Sequence, residues 1–195
     1  MQPKFAALAA LAVLLAGGAS ACGSSDHEEH ARSLYNAYRA AEDARTVAEE
    51  DLRQAFADIS SAASKLDRAG VVAAAQRGQQ AVQKIDDLIA AELEAADGLA
   101  EIESTSAHAK RLSEGLQLSR DSLALVSREL DIAIDDPFLE TTKKELDRLA
   151  KQSADLAVQG ELEVRRADRA LALALGLEPR LDQMFTTPTP TTTTG

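Results

Sequence analysis

Hydrophobic residues recur in alternating three- and four-residue steps along the first half of the chain. Two rows of positions seven apart run side by side: Leu34, Ala41, Ala48, Ala55 and Ala62, and Tyr38, Arg45, Leu52, Ile59 and Leu66. This spacing places both rows on one face of an α-helix. Ser25 and Glu28 match a capping box at its start, and Gly70 matches a stop at its end. We expect the stem of Arg45, the one charged residue of the seam, to lie along the helix while its charge reaches water.

The same spacing continues from residue 71 to residue 134, a stretch without proline. Its main row is Leu88, Ala95, Ile102, Ala109, Leu116, Leu123 and Leu130. The partner row is Ile85 and Leu99 in the first half, and Leu112 and Val126 in the second. Its phase therefore changes between Leu99 and Leu112, where Gly98 and the run 104–106 also lie. One kinked helix and two helices with a break near residues 98–108 both stay open.

Asp136-Pro137 predicts the start of the last helix, with Asp as N-cap and Pro at the first helical position. Its apolar stripe is Leu139, Leu146, Leu149, Leu156, Ala167, Ala170, Ala174 and Leu177. Ser153 and Gly160 interrupt the stripe, and the helix should end near Gly176, before Pro179.

The whole pattern predicts an all-α fold over residues 26–178, because no stretch alternates with the period of a β-strand. We expect an elongated, antiparallel, coiled-coil-like bundle of three long helices, or of four if the chain breaks near residues 98–108. Such a bundle has a thin, alanine-rich core with little room for an internal pocket. This argues against an enzyme.

The first residues carry the pattern of an export signal. Lys4 supplies a positive charge, and the apolar run after it is shorter than the roughly 20 residues that span a bilayer. Small residues then precede Cys22, the only cysteine. Residues 1–21 with Cys22 resemble the signal of bacterial lipoproteins, although Ala19 stands where that family most often has Leu. The resemblance implies acylation of Cys22 (palmitate among the chains) and anchoring to the outer side of a bacterial membrane, with residues 22–25 as lipidated cysteine and flexible tether.

Ordinary secretion is the alternative reading of this segment, because Ala19-Ser20-Ala21 also satisfies the small-x-small cleavage rule. Secretion without a lipid would leave Cys22 as a free thiol on an exported chain, an awkward outcome. We therefore favour the lipid anchor. Whether the membrane is the inner or the outer one stays open.

Composition excludes several classes of function. The chain has 21 Lys and Arg against 32 Asp and Glu, a net charge of −11, which argues against nucleic-acid binding. A single cysteine forms neither an intramolecular disulfide nor a thiolate zinc cage. Phosphate-binding loops, dinucleotide-binding turns and EF-hand loops are all missing from the sequence. We expect no cofactor.

The three histidines are the remaining candidates for chemistry. His27 and His30 lie three residues apart, whereas the zinc helix of metalloproteases needs a spacing of four. A weak divalent-ion site with Asp26 is one interpretation, and a solvated helix start is the one we favour. His108 has serines nearby but no nucleophile elbow, so we expect an exposed helical histidine. We predict no catalytic and no metal-binding residue.

Residues 179–195 are rich in Thr and Pro, and we expect a disordered tail, with O-linked sugars and an unmodified tail both open alternatives. Acidic residues are concentrated in the first half of the mature chain, as a docking face for a basic partner or as ordinary solvated surface. We expect a lipid-anchored, non-enzymatic structural or adaptor protein of the cell envelope with a protein partner. The alternative is a small-molecule sensor or carrier that binds its ligand between helices. The oligomeric state stays open.

Overall fold

The computed structural model describes residues 23–179, which form a bundle of four α-helices. The helices are α1 (Gly23–Ser64), α2 (Arg68–Ala100), α3 (Ser106–Asp135) and α4 (Lys143–Ala174). Consecutive helices pack antiparallel, α1 on α2, α2 on α3 and α3 on α4. No strand is present between residues 23 and 179. The predicted all-α fold is confirmed, in its four-helix form.

The two ends of the described chain meet at the same end of the bundle. The Nη2 atom of Arg32, in the third turn of α1, donates a hydrogen bond of 3.1 Å to the carbonyl oxygen of Leu175, just after α4. We call this the N-terminal end. The α1–α2 turn and the α3–α4 loop lie at the opposite end, roughly 60 Å away at 1.5 Å per helical residue. Gly23–Ser25, expected to form part of a flexible tether, belong to α1.

The break between α2 and α3 spans residues 101–105, inside the interval where the hydrophobic rows change phase. The fully buried side chain of Thr105 stabilises it. Its Oγ1 donates a hydrogen bond of 2.6 Å to the carbonyl oxygen of Leu99, in the last turn of α2, which also accepts from the backbone N–H of Ile102. The phase change therefore marked a true helix boundary.

The α1–α2 turn differs from the prediction that α1 stops at Gly70. The helix ends at Ser64, and Leu66 adopts a left-handed conformation with φ 56°. The backbone N–H groups of Leu66 and Asp67 donate to the carbonyl oxygens of Ala63 and Ala62, as in a Schellman motif. Gly70 instead lies in the first turn of α2, where its N–H donates 3.0 Å to the carboxylate of the N-cap residue Asp67. Leu66, expected in the seam, is 78% exposed.

The start of α4 also differs from the prediction. Asp136 does not cap α4, which begins seven residues later at Lys143. Its carboxylate accepts hydrogen bonds from the backbone N–H groups of Glu140, Thr141 and Thr142, so it organises the α3–α4 loop. These bonds, from Thr141 first, hold the pKa of Asp136 below its usual range. The predicted end near Gly176 is confirmed, since Gly176 has φ 67° in a second Schellman motif.

Helices α3 and α4 cross at two buried glycines. A Cβ atom on Gly160 would lie 2.8 Å from the carbonyl oxygen of Gly115, and one on Gly115 would lie 2.8 Å from the backbone nitrogen of Val164. Backbone at this distance leaves no room for a methyl group, so both positions require glycine. Gly160, expected to weaken the apolar stripe of α4, is a closest-contact point of the helix pair.

Candidate functional site

Helices α1 and α4 meet at the N-terminal end through a buried polar cluster, which we call the clasp. It consists of Tyr35, Arg39, Glu42 and Asp168, each at most 8% exposed. The carboxylate of Asp168 accepts 2.8 Å hydrogen bonds from the hydroxyl of Tyr35 and from Nη1 of Arg39. Arg39 also donates 3.0 Å to Glu42. The buried charges of the clasp are thus paired, as buried charges must be.

A second buried ion pair links α1 to α2 one and a half turns further along α1. The Nε atom of Arg45 lies 2.7 Å from Oε1 of Glu92, whose side chain is fully buried. The guanidinium also contacts Glu49 at 2.6 Å. The expectation that the charge of Arg45 reaches water is wrong, because Glu92 draws it into the bundle. Burial would lower the pKa of Arg45, but Glu92 and Glu49 outweigh burial and raise it.

Arg45 neutralises the buried charge of Glu92 only in part. Burial raises its pKa to about 7, and Arg45 opposes the rise only in part. Its Oε2 atom and the hydroxyl of Tyr38 are buried with no hydrogen-bond partner among the described residues. Burial also raises the pKa of Tyr38 well above its ordinary value, so its hydroxyl stays protonated. The site therefore holds unused hydrogen-bonding capacity in its interior.

A cavity of about 490 Å³ lies beside Arg45, between the four helices. We call it the groove. Its apolar floor is formed by Leu52, Ile85, Ile89, Leu123, Val126 and Val164. The exposed residues of its lining lie on α1 and α4, namely Thr46, Ala157, Glu161 and Arg165, so the groove opens between these two helices. The thin core was expected to leave little room for an internal pocket, and this cavity is a groove that is open to the side.

The opening has a physical cause in the side chains of α1. Below the clasp, the positions of α1 that line the groove toward α4 carry polar or charged groups, such as Thr46 and Glu49. Such groups gain little from burial, so α1 and α4 do not close on each other as α3 and α4 do. The cavity persists because two of its walls are polar at their edge.

A separate polar set joins α3 to α4 further toward the loop end. The hydroxyl of Ser122 donates 2.8 Å to the carbonyl oxygen of Ser153, and the hydroxyl of Ser153 donates 2.7 Å to Glu129. Burial raises the pKa of Glu129, with the Ser153 hydrogen bond opposing the shift. These buried polar groups are satisfied, and we assign them to helix pairing.

The structure places the other sequence candidates as follows. Asp26, His27 and His30 are exposed in the first turns of α1, and His108 is partly exposed on α3. No group of three or more His, Cys, Asp or Glu side chains in residues 23–179 is arranged to hold a metal ion. None of the helices in this range is long and apolar enough to cross a bilayer. Residues 1–21, Cys22 and residues 180–195 lie outside the described residues.

Sequence reasoning missed Glu92, although a signal for it was present. Glu92 lies seven residues from both Ile85 and Leu99, so it occupies the middle of a buried row of α2. Arg45 interrupts the corresponding row of α1. Two opposite charges in facing apolar rows of antiparallel helices indicate a buried pair. Asp168 had no such signal, because it lies next to the predicted apolar stripe of α4 and is not part of it.

The fold and the site together define a four-helix bundle with a polar clasp and a laterally open groove. Comparison of this chain with protein-family models, with curated proteins and with solved structures finds no match. The function is therefore argued from the groove and from the sequence.

Proposed function

We propose that the chain is a lipid-anchored protein of the bacterial cell envelope that binds a small molecule between its helices, as a non-enzymatic sensor or carrier. The observation that carries the proposal is the cavity of about 490 Å³ between the four helices, open between α1 and α4. This reverses the order of the two functions expected from the sequence. A ligand site now ranks above a purely structural or adaptor role.

The dimensions and lining of the groove support a ligand of modest size. Binding sites for small molecules typically enclose about 300–1,000 Å³ and combine an apolar lining with a few polar groups that fix orientation. The groove has an apolar floor on α2 and α3, and charged side chains on α1 and α4 at its edge. The unpartnered Oε2 of Glu92 lies on the carboxylate that pairs with Arg45, itself part of the lining.

The lipid anchor is supported by the pattern of residues 1–22 and is compatible with the shape of the bundle. An anchor at Cys22 would attach directly before α1, at the N-terminal end. The bundle would then stand on that end, with the α1–α2 turn and the α3–α4 loop farthest from the membrane. The groove would open on the side of the bundle, accessible from the envelope.

Thermal unfolding tests the ligand site. The mature chain should be stabilised by a small-molecule fraction of an envelope extract, by RT ln(1 + [L]/Kd). A ligand at one hundred times its Kd would contribute about 2.7 kcal/mol, or roughly 5–10 °C in Tm for a chain of this size. Ala157→Phe, in the mouth of the groove, should abolish the shift.

Ala90→Phe is the matched control, because Ala90 is exposed on α2 and does not line the groove. It should leave the shift intact. An extract that stabilises neither the natural chain nor the control would contradict the proposed function, and so would equal shifts for the control and Ala157→Phe.

Membrane fractionation tests the anchor. Cys22→Ser should move the protein from the detergent-soluble membrane fraction to the aqueous fraction, because the acyl chains supply the membrane affinity. Membrane association that persists in Cys22→Ser and needs detergent for release would contradict the anchor. This result would leave the ligand site untouched.

A protein partner is the second candidate function. It is favoured by three exposed apolar residues, Val158, Leu162 and Leu173, which lie along one outer face of α4. Apolar residues that share an exposed face are typical of interaction surfaces. Crosslinking from Leu162 in intact cells should capture a protein that Leu162→Glu releases. A crosslinked product that is unchanged in Leu162→Glu would contradict this candidate.

A further inference from the structure

We propose that the groove takes a small organic cation with an apolar body, such as an alkylammonium. The inference rests on the proposed function, since it names the chemical class of ligand for the same cavity. Two features of the groove carry it: an excess of carboxylates around the mouth, and an apolar floor behind them.

The carboxylate excess follows from the ion pairs of the groove and its neighbours. Glu42, Glu49 and Glu161 line the groove together with Arg45 and Arg165. The pairs of these residues extend inward to Glu92 on one side and to Arg39 and Asp168 on the other. Without Glu92, whose raised pKa leaves it only partly ionised near pH 7, the set holds one more carboxylate than guanidinium group: Glu42, Glu49, Glu161 and Asp168 against Arg39, Arg45 and Arg165.

Arg39 and Arg45 are each shared between two of these carboxylates, and Arg165 is paired with Glu161. Arg39 contacts both Glu42 and Asp168, and Arg45 contacts both Glu49 and Glu92. A positive charge brought into the mouth would therefore meet a net negative site. Burial is the main cause of the raised pKa of Glu92, and the nearby Glu42 and Glu49 add to it because they disfavour its ionised form. An anionic ligand would add to the same repulsion.

The apolar floor of the groove determines the other part of the ligand. Ile85, Ile89 and Leu123 are buried residues that face the cavity from α2 and α3. An alkyl or aryl body would cover the apolar surface that the partly exposed floor residues Leu52 and Val126 still present to water, at roughly 25 cal/mol per Å². Only a molecule with a cationic head and an apolar body uses both the carboxylates at the mouth and the floor. An inorganic cation would leave the floor wet.

Calorimetric titration with three probes that share one tail tests the charge of the ligand. Hexylammonium, hexanol and hexanoate carry a positive, a neutral and a negative head on the same six-carbon chain. Each is titrated into the mature chain, residues 22–195, with Cys22→Ser so that no detergent is needed. We expect hexylammonium to bind at least tenfold more tightly than hexanol, and hexanoate to bind least.

A pair of double variants locates the charge. Glu49→Gln/Glu161→Gln removes two carboxylates from the lining and should weaken hexylammonium about tenfold. Glu50→Gln/Glu163→Gln removes the same charge from neighbouring positions outside the lining and should leave the affinity unchanged. All four are surface side chains, at least 40% exposed. Glu161→Gln alone, at 58% exposure, repeats the test should the double variant lose its helical circular dichroism.

The outcomes separate the inference from the function it rests on. If hexanol or hexanoate binds as tightly as hexylammonium and Ala157→Phe blocks it, the ligand site stands and the cationic class is wrong. Equal weakening by the two double variants would mean a general charge effect, which also overturns the inference. If none of the three probes binds, both the inference and the proposed ligand site are contradicted.

Discussion

Replacing Glu92 by Gln should change how the stability of the bundle depends on pH. The carboxyl group of Glu92 is fully buried between α1 and α2, and burial raises its pKa from 4.5 to about 7. In the unfolded chain the same group titrates at its ordinary value near 4.5. Gln keeps the shape and an acceptor for Arg45 but does not titrate. The difference between the two proteins therefore isolates this one group.

The direction follows from proton binding. Below about pH 4 the carboxyl group is protonated in both states and its ionisation costs no stability. Between the two pKa values the unfolded state ionises while the folded state keeps its proton, so stability falls as pH rises. Above about pH 8 both states are ionised and the loss is complete, at roughly 3 kcal/mol. Most of this loss falls between pH 5 and pH 8.

Urea unfolding of the mature chain at pH 5, 6, 7 and 8 measures the effect. The natural chain should lose roughly 2–3 kcal/mol more than Glu92→Gln across this range. Glu94→Gln, an exposed neighbour on α2, is the matched control and should follow the natural chain. Glu129, whose pKa burial also raises, is present in all three proteins and cancels. Parallel curves for Glu92→Gln and the natural chain would refute the reasoning.

The remaining predictions concern the same unfolding measurement at one pH. Gly160→Ala should lower the free energy of unfolding by about 1–3 kcal/mol, because its Cβ would lie 2.8 Å from the carbonyl oxygen of Gly115. Gly98→Ala should lower it less, because the Cβ there meets the flexible side chain of Leu34. A loss no larger at Gly160 than at Gly98 would argue against the close crossing. Leu66→Gly should stabilise the protein by up to about 1 kcal/mol, because glycine adopts the left-handed conformation without the strain that a side chain adds. A loss of stability would mean that Leu66 makes an apolar contact. Asp168→Ala should cost about 3 kcal/mol by leaving Arg39 and Tyr35 without their shared acceptor, whereas exposed Asp155→Ala should cost under 0.5. Equal effects at the two aspartates would contradict the clasp.

Much of the fold was predictable because seven-residue spacing reports which face of a helix is buried. The rows of Ala41, Ala48 and Ala55 on α1 and of Leu116, Leu123 and Leu130 on α3 are buried as predicted. The phase change between Leu99 and Leu112 located the boundary between α2 and α3. These signals are local, so a single sequence carries them.

Helix ends were less predictable, since they depend on competition between capping groups. Asp67 and Gly70 both suit an α1–α2 boundary, and the structure uses the carboxylate of Asp67 as the cap. Asp136-Pro137 has the form of a helix start, yet the side chain of Asp136 bonds the loop that precedes α4. The sequence alone does not show which of these groups caps the helix.

The candidate site was the least predictable part, because it depends on how α1 sits against α4. Arg45 and Glu92 each interrupt an apolar row, but the pair can be recognised only once α1 and α2 are known to face each other through these rows. Asp168 lies 129 residues from Arg39 along the chain. A cavity arises from the one helix pair that fails to close, and periodicity describes each helix only by itself.

Methyl NMR tests the central claim, that the groove admits a small molecule, most directly. The mature chain with Cys22→Ser is titrated with hexylammonium and with hexanol. The account predicts that the methyl signals of the floor residues Ile85, Ile89 and Leu123 shift in a saturable way, while those of Val71, Leu130 and Leu149, buried elsewhere, stay in place. Unchanged signals from the floor residues with both probes, or equal shifts in both groups, would contradict it.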